Sequence, residues 1–156
     1  MTVHATTIAG IAPYFRSKKK IKNMQITESS IFVGLKRLRN LMYQCQFLMQ
    51  KADRIIYGTP LMAASGKAIA AFVLAFTVSS KRLEYLEEAM GHFYVLKTDI
   101  EFCVMQNIIH FKKRDVDGGE KYESSKKIEL LKLVAQIDND MCKWRASLAK
   151  SKTVCG

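Results

Sequence analysis

Three histidines, His4, His92 and His110, and four cysteines, Cys45, Cys103, Cys142 and Cys155, are the residues of this 156-residue chain best suited to metal or nucleophilic chemistry. A shared site requires them to converge. His92 and His110 are 18 residues apart, so on one straight helix they share a face but stand about 27 Å apart, too far to ligate one ion. Bundles that hold two metal ions use Glu-x-x-His on inward faces, and neither histidine has a glutamate three residues before it. Glu88 comes four before His92, the spacing of a surface helix pair. The cysteines lack the paired spacing of a zinc site or redox motif and read as small core residues kept reduced, with a disulfide or metal role as the alternative. Ala64-Ser65-Gly66-Lys67 has one glycine beside a lysine and no strand before it, which makes neither a phosphate loop nor a nucleophile elbow. The expectation is a non-enzymatic chain with no catalytic residue, metal or cofactor.

Cations are the chemistry that remains. Lysine and arginine outnumber aspartate and glutamate 25 to 14, a net charge of +11 that favours polyanionic partners through attraction and counterion release. Residues 1–67 carry +9 of it, residues 68–111 carry −2 and residues 112–156 carry +4. Two groups stand out. One is the acid-free start, with Arg16, Lys18, Lys19, Lys20 and Lys22; the other is Lys36, Arg37, Arg39, Lys51 and Arg54 on the first helix. Both are candidate nucleic-acid-binding residues, against the alternative of a solvated tail and a solvated helix face. An organellar transit peptide is a further reading of the start, whereas secretion does not fit a weakly apolar stretch whose charges follow it. Trp144, beside Cys142, Lys143 and Arg145, offers a base-stacking platform, but its place on a helical seam favours the core.

The elements that would position these groups are helical. Ile31, Leu35, Leu38, Met42, Cys45, Met49, Ala52 and Ile56 alternate steps of four and three, and this predicts one long helix, widened by Leu41, Leu48 and Ile55, that Gly58 stops and Pro60 restarts. A third helix, capped by Ser79-Ser80, carries Leu83, Leu86, Met90, Phe93, Leu96, Ile100, Val104 and Ile108 inward and runs towards Phe111. Its outer surface holds Glu84, Glu87, Glu88, Asp99 and Glu101, either for solubility or as an intersubunit partner of the basic first helix. Residues 112–125 read as a charged connection without periodicity. The last helix has the seam Leu130, Val134, Ile137, Met141, Trp144 and Leu148. The expected architecture is all-α, an antiparallel up-down-up-down four-helix bundle over residues 28–150, with a basic flexible arm over 1–27 and a tail over 151–156.

The second helix is apolar on two sides. Met62, Ile69, Phe72 and Phe76 form a bulky stripe, while Ala64, Ala68, Ala71 and Ala75 form a small-residue stripe. The uncharged run 68–78 is short of the roughly 18 apolar residues of a membrane span, so no membrane contact is expected. Either central burial or a second subunit would cover both stripes. The second option makes Ala64, Ala68, Ala71 and Ala75 a candidate oligomer interface.

Two stretches carry a resemblance: Arg82-Leu83-Glu84-Tyr85-Leu86-Glu87-Glu88-Ala89-Met90, and Ile137-Asp138-Asn139-Asp140-Met141-Cys142-Lys143-Trp144-Arg145-Ala146-Ser147-Leu148. The junction Arg54-Ile55-Ile56-Tyr57-Gly58 supports them. Over residues 38–150 the chain resembles the accessory variability determinant (Avd-like) proteins of diversity-generating retroelements. More distantly it resembles the four-helix bundle proteins of intervening sequences in bacterial 23S ribosomal RNA. The resemblance implies a cytoplasmic, non-enzymatic basic bundle that assembles as a homopentamer. It would bind the element's reverse transcriptase together with template RNA, and cDNA as a further ligand, and support mutagenic reverse transcription. The alternative is a stand-alone bundle of the intervening-sequence type that binds structured RNA. The arm of about 27 residues and the 112–125 connection are long for the Avd-like family.

Overall fold

Ser29 begins the first helix: its backbone is extended and its hydroxyl accepts a hydrogen bond from the Phe32 amide at 3.4 Å. The structure, a computed structural model, describes residues 25–114 and 116–154, so the arm cations Arg16, Lys18, Lys19, Lys20 and Lys22 lie outside the described residues. Helix α1 spans Ser30–Gln46 and buries Ile31, Leu35, Leu38, Met42 and Cys45. It stops ten residues before the predicted end. The Leu48 and Met49 amides donate to the Cys45 and Gln46 carbonyls at 3.0 and 3.3 Å, and buried Met49 closes the end of the core. The apparent seam therefore spans two helices, and the positions assigned beyond the turn are wrong: Ala52, Ile55 and Ile56 are exposed.

Helix α2 runs Lys51–Thr77 straight through the expected break at Gly58. Pro60 has no amide to donate; just before it, Arg54–Gly58 forms a π-helical turn in which the Thr59 amide reaches the Arg54 carbonyl, a wider turn that absorbs the shift in register. Gly58 is itself helical, with φ −60 and ψ −53. A Cβ there would lie 3.2 Å from Met49 Sδ and 3.4 Å from Gln46 Cβ, so this glycine admits the end of α1 and stops nothing. Over its 27 residues α2 is long and apolar enough to cross a membrane by length and composition, which the run 68–78 alone is not. Eight of its residues, Gly58, Leu61, Ser65, Ala68, Ala71, Phe72, Ala75 and Phe76, are buried in the bundle.

Helix α3 spans Arg82–Met105 after a 3-10 turn at Ser79–Lys81. The expected serine cap is absent: Lys81 holds the N-cap position and no side chain caps the helix. Its end is set by Asn107, left-handed at φ 53, with the Ile108 amide reaching back to the Cys103 carbonyl at 2.8 Å. That motif halts α3 short of Phe111 and lets Ile109 and Phe111 fold under the core. The 112–125 connection contains an antiparallel hairpin, β1 Lys112–Arg114 with β2 Glu120–Tyr122, in which Lys112 faces Tyr122. Strands of three residues are too short to show alternation in sequence. Helix α4 spans Ser124–Val154, so residues 151–154, expected as tail, are helical.

The described chain is thus essentially helical, with four helices around one core. Each packs on two neighbours, α1 and α3 both lying between α2 and α4. Along α1 and α4, Ser30 meets Asp140 and Arg37 meets Glu129; along α3 and α4, Glu87 meets Arg145 and Lys97 meets Asp138. In both, numbering rises on one helix as it falls on the other. Gly34 sets the α1–α4 spacing, since a Cβ there would lie 2.8 Å from Ile137 Cγ1. Trp144 is fully buried against Phe72 and Phe76, with ring centroids 5.5 and 6.5 Å apart, which makes it core and removes it as a stacking platform.

Candidate nucleic-acid interface

The five basic candidates among the described residues do not share one helix. Lys36, Arg37 and Arg39 are on α1, whereas Lys51 and Arg54 begin α2; all five are exposed. Arg37 turns towards α4 and forms an ion pair with Glu129. Lys36 holds its ammonium 5.5 Å from the Phe32 ring centroid. Arg39 lies over α2, where a Cβ on Gly66 would come within 2.8 Å of its guanidinium. Arg54 donates to the carbonyls of Gln46, Phe47 and Met49 at 2.9, 2.9 and 3.3 Å; it is a structural cap on α1 as well as a surface cation.

Charge is sorted by helix pair. The adjacent helices α1 and α2 hold six cations, Lys36, Arg37, Arg39, Lys51, Arg54 and Lys67, against the single carboxylate of Asp53. Two ion pairs link α3 to α4, Glu87 with Arg145 and Lys97 with Asp138; the hydrogen bond to Asp138 holds the Lys97 ammonium above its ordinary pKa. His92 lies 3.8 Å from Glu88, the surface pair that their spacing predicted. Sequence reasoning missed Tyr43 and Phe47, exposed aromatic residues on the cationic face of α1. Their signal was present: both fall off the buried seam, four residues apart.

The alanine stripe is not an open interface. Ala68, Ala71 and Ala75 are buried within the chain's own bundle and Ala64 is half-buried against the same core. The bulky stripe is also inward, with Phe72 and Phe76 buried and Met62 and Ile69 half-buried. Both stripes have partners in the chain because α2 packs between α1 and α3. Among the apolar groups left outside are Leu74 on α2, and Val95, Phe102 and Met105 on α3, with Ile55 and Ile56 just before Tyr57, whose ring lies 5.6 Å from that of Phe102.

Among the described residues no group of three or more histidine, cysteine, aspartate or glutamate side chains could hold a metal ion. Cys45 and Cys103 are buried free thiols, and burial pushes them up to about 12 and about 11, far from the thiolate form that reacts or binds metal. Cys142 is exposed in an open cleft of about 460 Å³ with Glu87, Tyr94 and Arg145. Its Sγ lies 3.6 Å from Asp138 Oδ1 and 3.8 Å from the Tyr94 hydroxyl, and that hydrogen bond raises the Tyr94 pKa. Compared with known proteins, the chain matches no family model, no curated protein and no solved structure.

Proposed function

We propose that the chain is a non-enzymatic accessory subunit that binds nucleic acid through the α1–α2 surface. Following its resemblance to the Avd-like proteins, we assign it to the reverse transcriptase of a diversity-generating retroelement, acting on template RNA and cDNA in the cytoplasm. One observation carries the binding part: six cations against one carboxylate on two adjacent helices. Carboxylates there would oppose phosphate, and nearly all the acids lie elsewhere. The opposed pairings of α1 and α3 with α4 support an up-down-up-down bundle. Self-association, as the pentamer that the resemblance implies, would use the outward Leu74, Val95, Phe102 and Met105.

The test is RNA binding as salt is raised from about 50 to 200 mM, where engagement of six or more phosphates predicts a loss of roughly a thousandfold. Binding that ignores salt overturns the reading. Co-purification with the reverse transcriptase encoded beside it, and loss of cDNA synthesis without it, tests the retroelement part.

A further inference from the structure

Phe32, Lys36, the adjacent Arg39 and Asn40, and Tyr43 follow one another at three- or four-residue steps along α1, and Phe47, its C-cap, continues the spacing. At 100° per residue they fall within an arc of about 100° and run roughly 22 Å down the helix. Aromatic and cationic groups interlock along it. Lys36 sits over the Phe32 ring. The Tyr43 and Phe47 rings meet edge to face, centroids 5.0 Å apart and planes at 85°, and the Arg54 guanidinium lies 6.0 Å from the Phe47 centroid. Because that guanidinium is anchored on three carbonyls of the α1 terminus, it acts as a positioning residue for the Phe47 ring. Tyr43 and Phe47 remain 52% and 54% exposed, forgoing the stabilisation that burying two aromatic side chains would bring.

We infer that this strip of α1 binds single-stranded nucleic acid, stacking unpaired bases on Tyr43 and Phe47 while Lys36 and Arg39 hold the adjoining phosphates. The inference rests on the nucleic-acid reading above and adds the strandedness of the ligand. Single strands are held by π faces beside positive charge, and in a duplex those base faces are covered by their neighbours. No carboxylate interrupts α1, and α2, packed beside it, has none from Thr59 to its end. The exposed aromatics Tyr94 and Phe102 make the contrast: they share α3 with Glu84, Glu87, Glu88, Asp99 and Glu101, a surface that repels phosphate. The two rings stand nearly perpendicular, so a base stacked on one is met by the edge of the other.

The experiment measures fluorescence anisotropy with labelled oligouridylate, oligothymidylate and a duplex, each of about 15 nucleotides or base pairs, for the wild type and for Tyr43→Ala with Phe47→Ala. The expected result is a loss of about tenfold or more for the single strands with duplex binding unchanged, and recovery in Tyr43→Phe with Phe47→Tyr. Oligodeoxyuridylate, which differs from oligouridylate in the sugar alone, reads whether the 2′-hydroxyl adds affinity. The two rings touch each other and Phe47 touches the Arg54 guanidinium, so the alanine variant should unfold somewhat below the wild type, and binding is compared well below its unfolding temperature. A Phe47→Trp variant gives an independent reading: its exposed indole emission should be quenched by either single strand and not by duplex. Alanine variants that keep full single-strand affinity overturn the stacking and leave the electrostatic reading intact. A wild type that binds none of these ligands overturns both. Altered sedimentation of the variant at unchanged single-strand affinity makes the strip a contact with another copy and overturns the inference.

Discussion

Arg54 and Arg82 hold equivalent posts after successive helices. Each sends its guanidinium back over the terminus just completed: Arg54 to the Gln46 and Phe47 carbonyls of α1, both at 2.9 Å, and Arg82 to the Ala75 and Phe76 carbonyls of α2, at 3.0 and 3.1 Å. The last carbonyls of a helix have no partner within it and carry its negative end, which a planar cation with several donors answers well. Partial burial lowers the Arg82 pKa without threatening its charge. Neither turn needs a glycine.

Replacing Arg54 or Arg82 by alanine is expected to lower stability by about 1–2 kcal/mol each, since charged hydrogen bonds to otherwise orphaned carbonyls are lost. Lysine should recover only part, because it cannot fork between two carbonyls. Urea denaturation followed by circular dichroism is the check; an unchanged midpoint for Arg54→Ala would deny it the capping role.

Ala71→Glu should unfold the chain. Ala71 is 4% exposed in the contact of α2 with its own bundle, where an unpaired carboxylate meets no compensating donor. Loss of helical signal at ambient temperature is the expected readout. Leu74→Glu lies on the outward side of α2 and should keep the fold, while dissociating any oligomer that uses that surface; light scattering with thermal unfolding separates the two cases.

Charge reversals on α1 should differ by position. Lys36→Glu with Arg39→Glu removes two phosphate contacts and should reduce the salt dependence of RNA binding, the slope of log affinity against log salt falling by about 1.5. Arg37→Glu instead sets a carboxylate against Glu129, with a stability cost of about 0.5 kcal/mol at this exposed pair and a smaller effect on the slope. Equal effects of the two variants on binding would show that Arg37 leaves Glu129 to reach phosphate.

Asp140 supplies a pH signature. It is 3% exposed, its Oδ2 accepts from the Ser30 hydroxyl at 3.1 Å, and its Oδ1 is buried without a hydrogen-bond partner among the described residues. Burial raises its pKa above the usual carboxylate value, so the folded state holds the proton more tightly than the unfolded chain does. The associated stability is full below the unfolded pKa of about 3.9 and is lost as pH rises through the higher folded value. Asp140→Asn removes this dependence. Between mildly acidic and neutral pH the variant should therefore gain stability relative to the wild type, and a difference that stays flat or shrinks with rising pH would contradict the assignment.

Sequence alone determined that the chain is helical, because three-and-four spacing of apolar residues over tens of positions admits no other regular structure. It also determined the inward faces of α1, α3 and α4: Leu35, Leu38, Leu86, Phe93, Ile137 and Trp144 are all buried. The turns were decided elsewhere. The chain reverses after Gln46 with no local breaker, held by Arg54 and Met49, and continues through Gly58 and Pro60, whose usual meaning is overridden by a close approach and a π turn. Whether a second subunit or the chain itself covers the two apolar sides of α2 was likewise undecidable from its composition, since only the positions of α1 and α3 place both stripes inward. The basic residues were legible as a list, but their division into an ion-paired Arg37, a capping Arg54 and a strip shared by Lys36, Arg39, Tyr43 and Phe47 depends on what lies across from each. That is a property of the packed helices, because charge and exposure are set by neighbours distant in sequence.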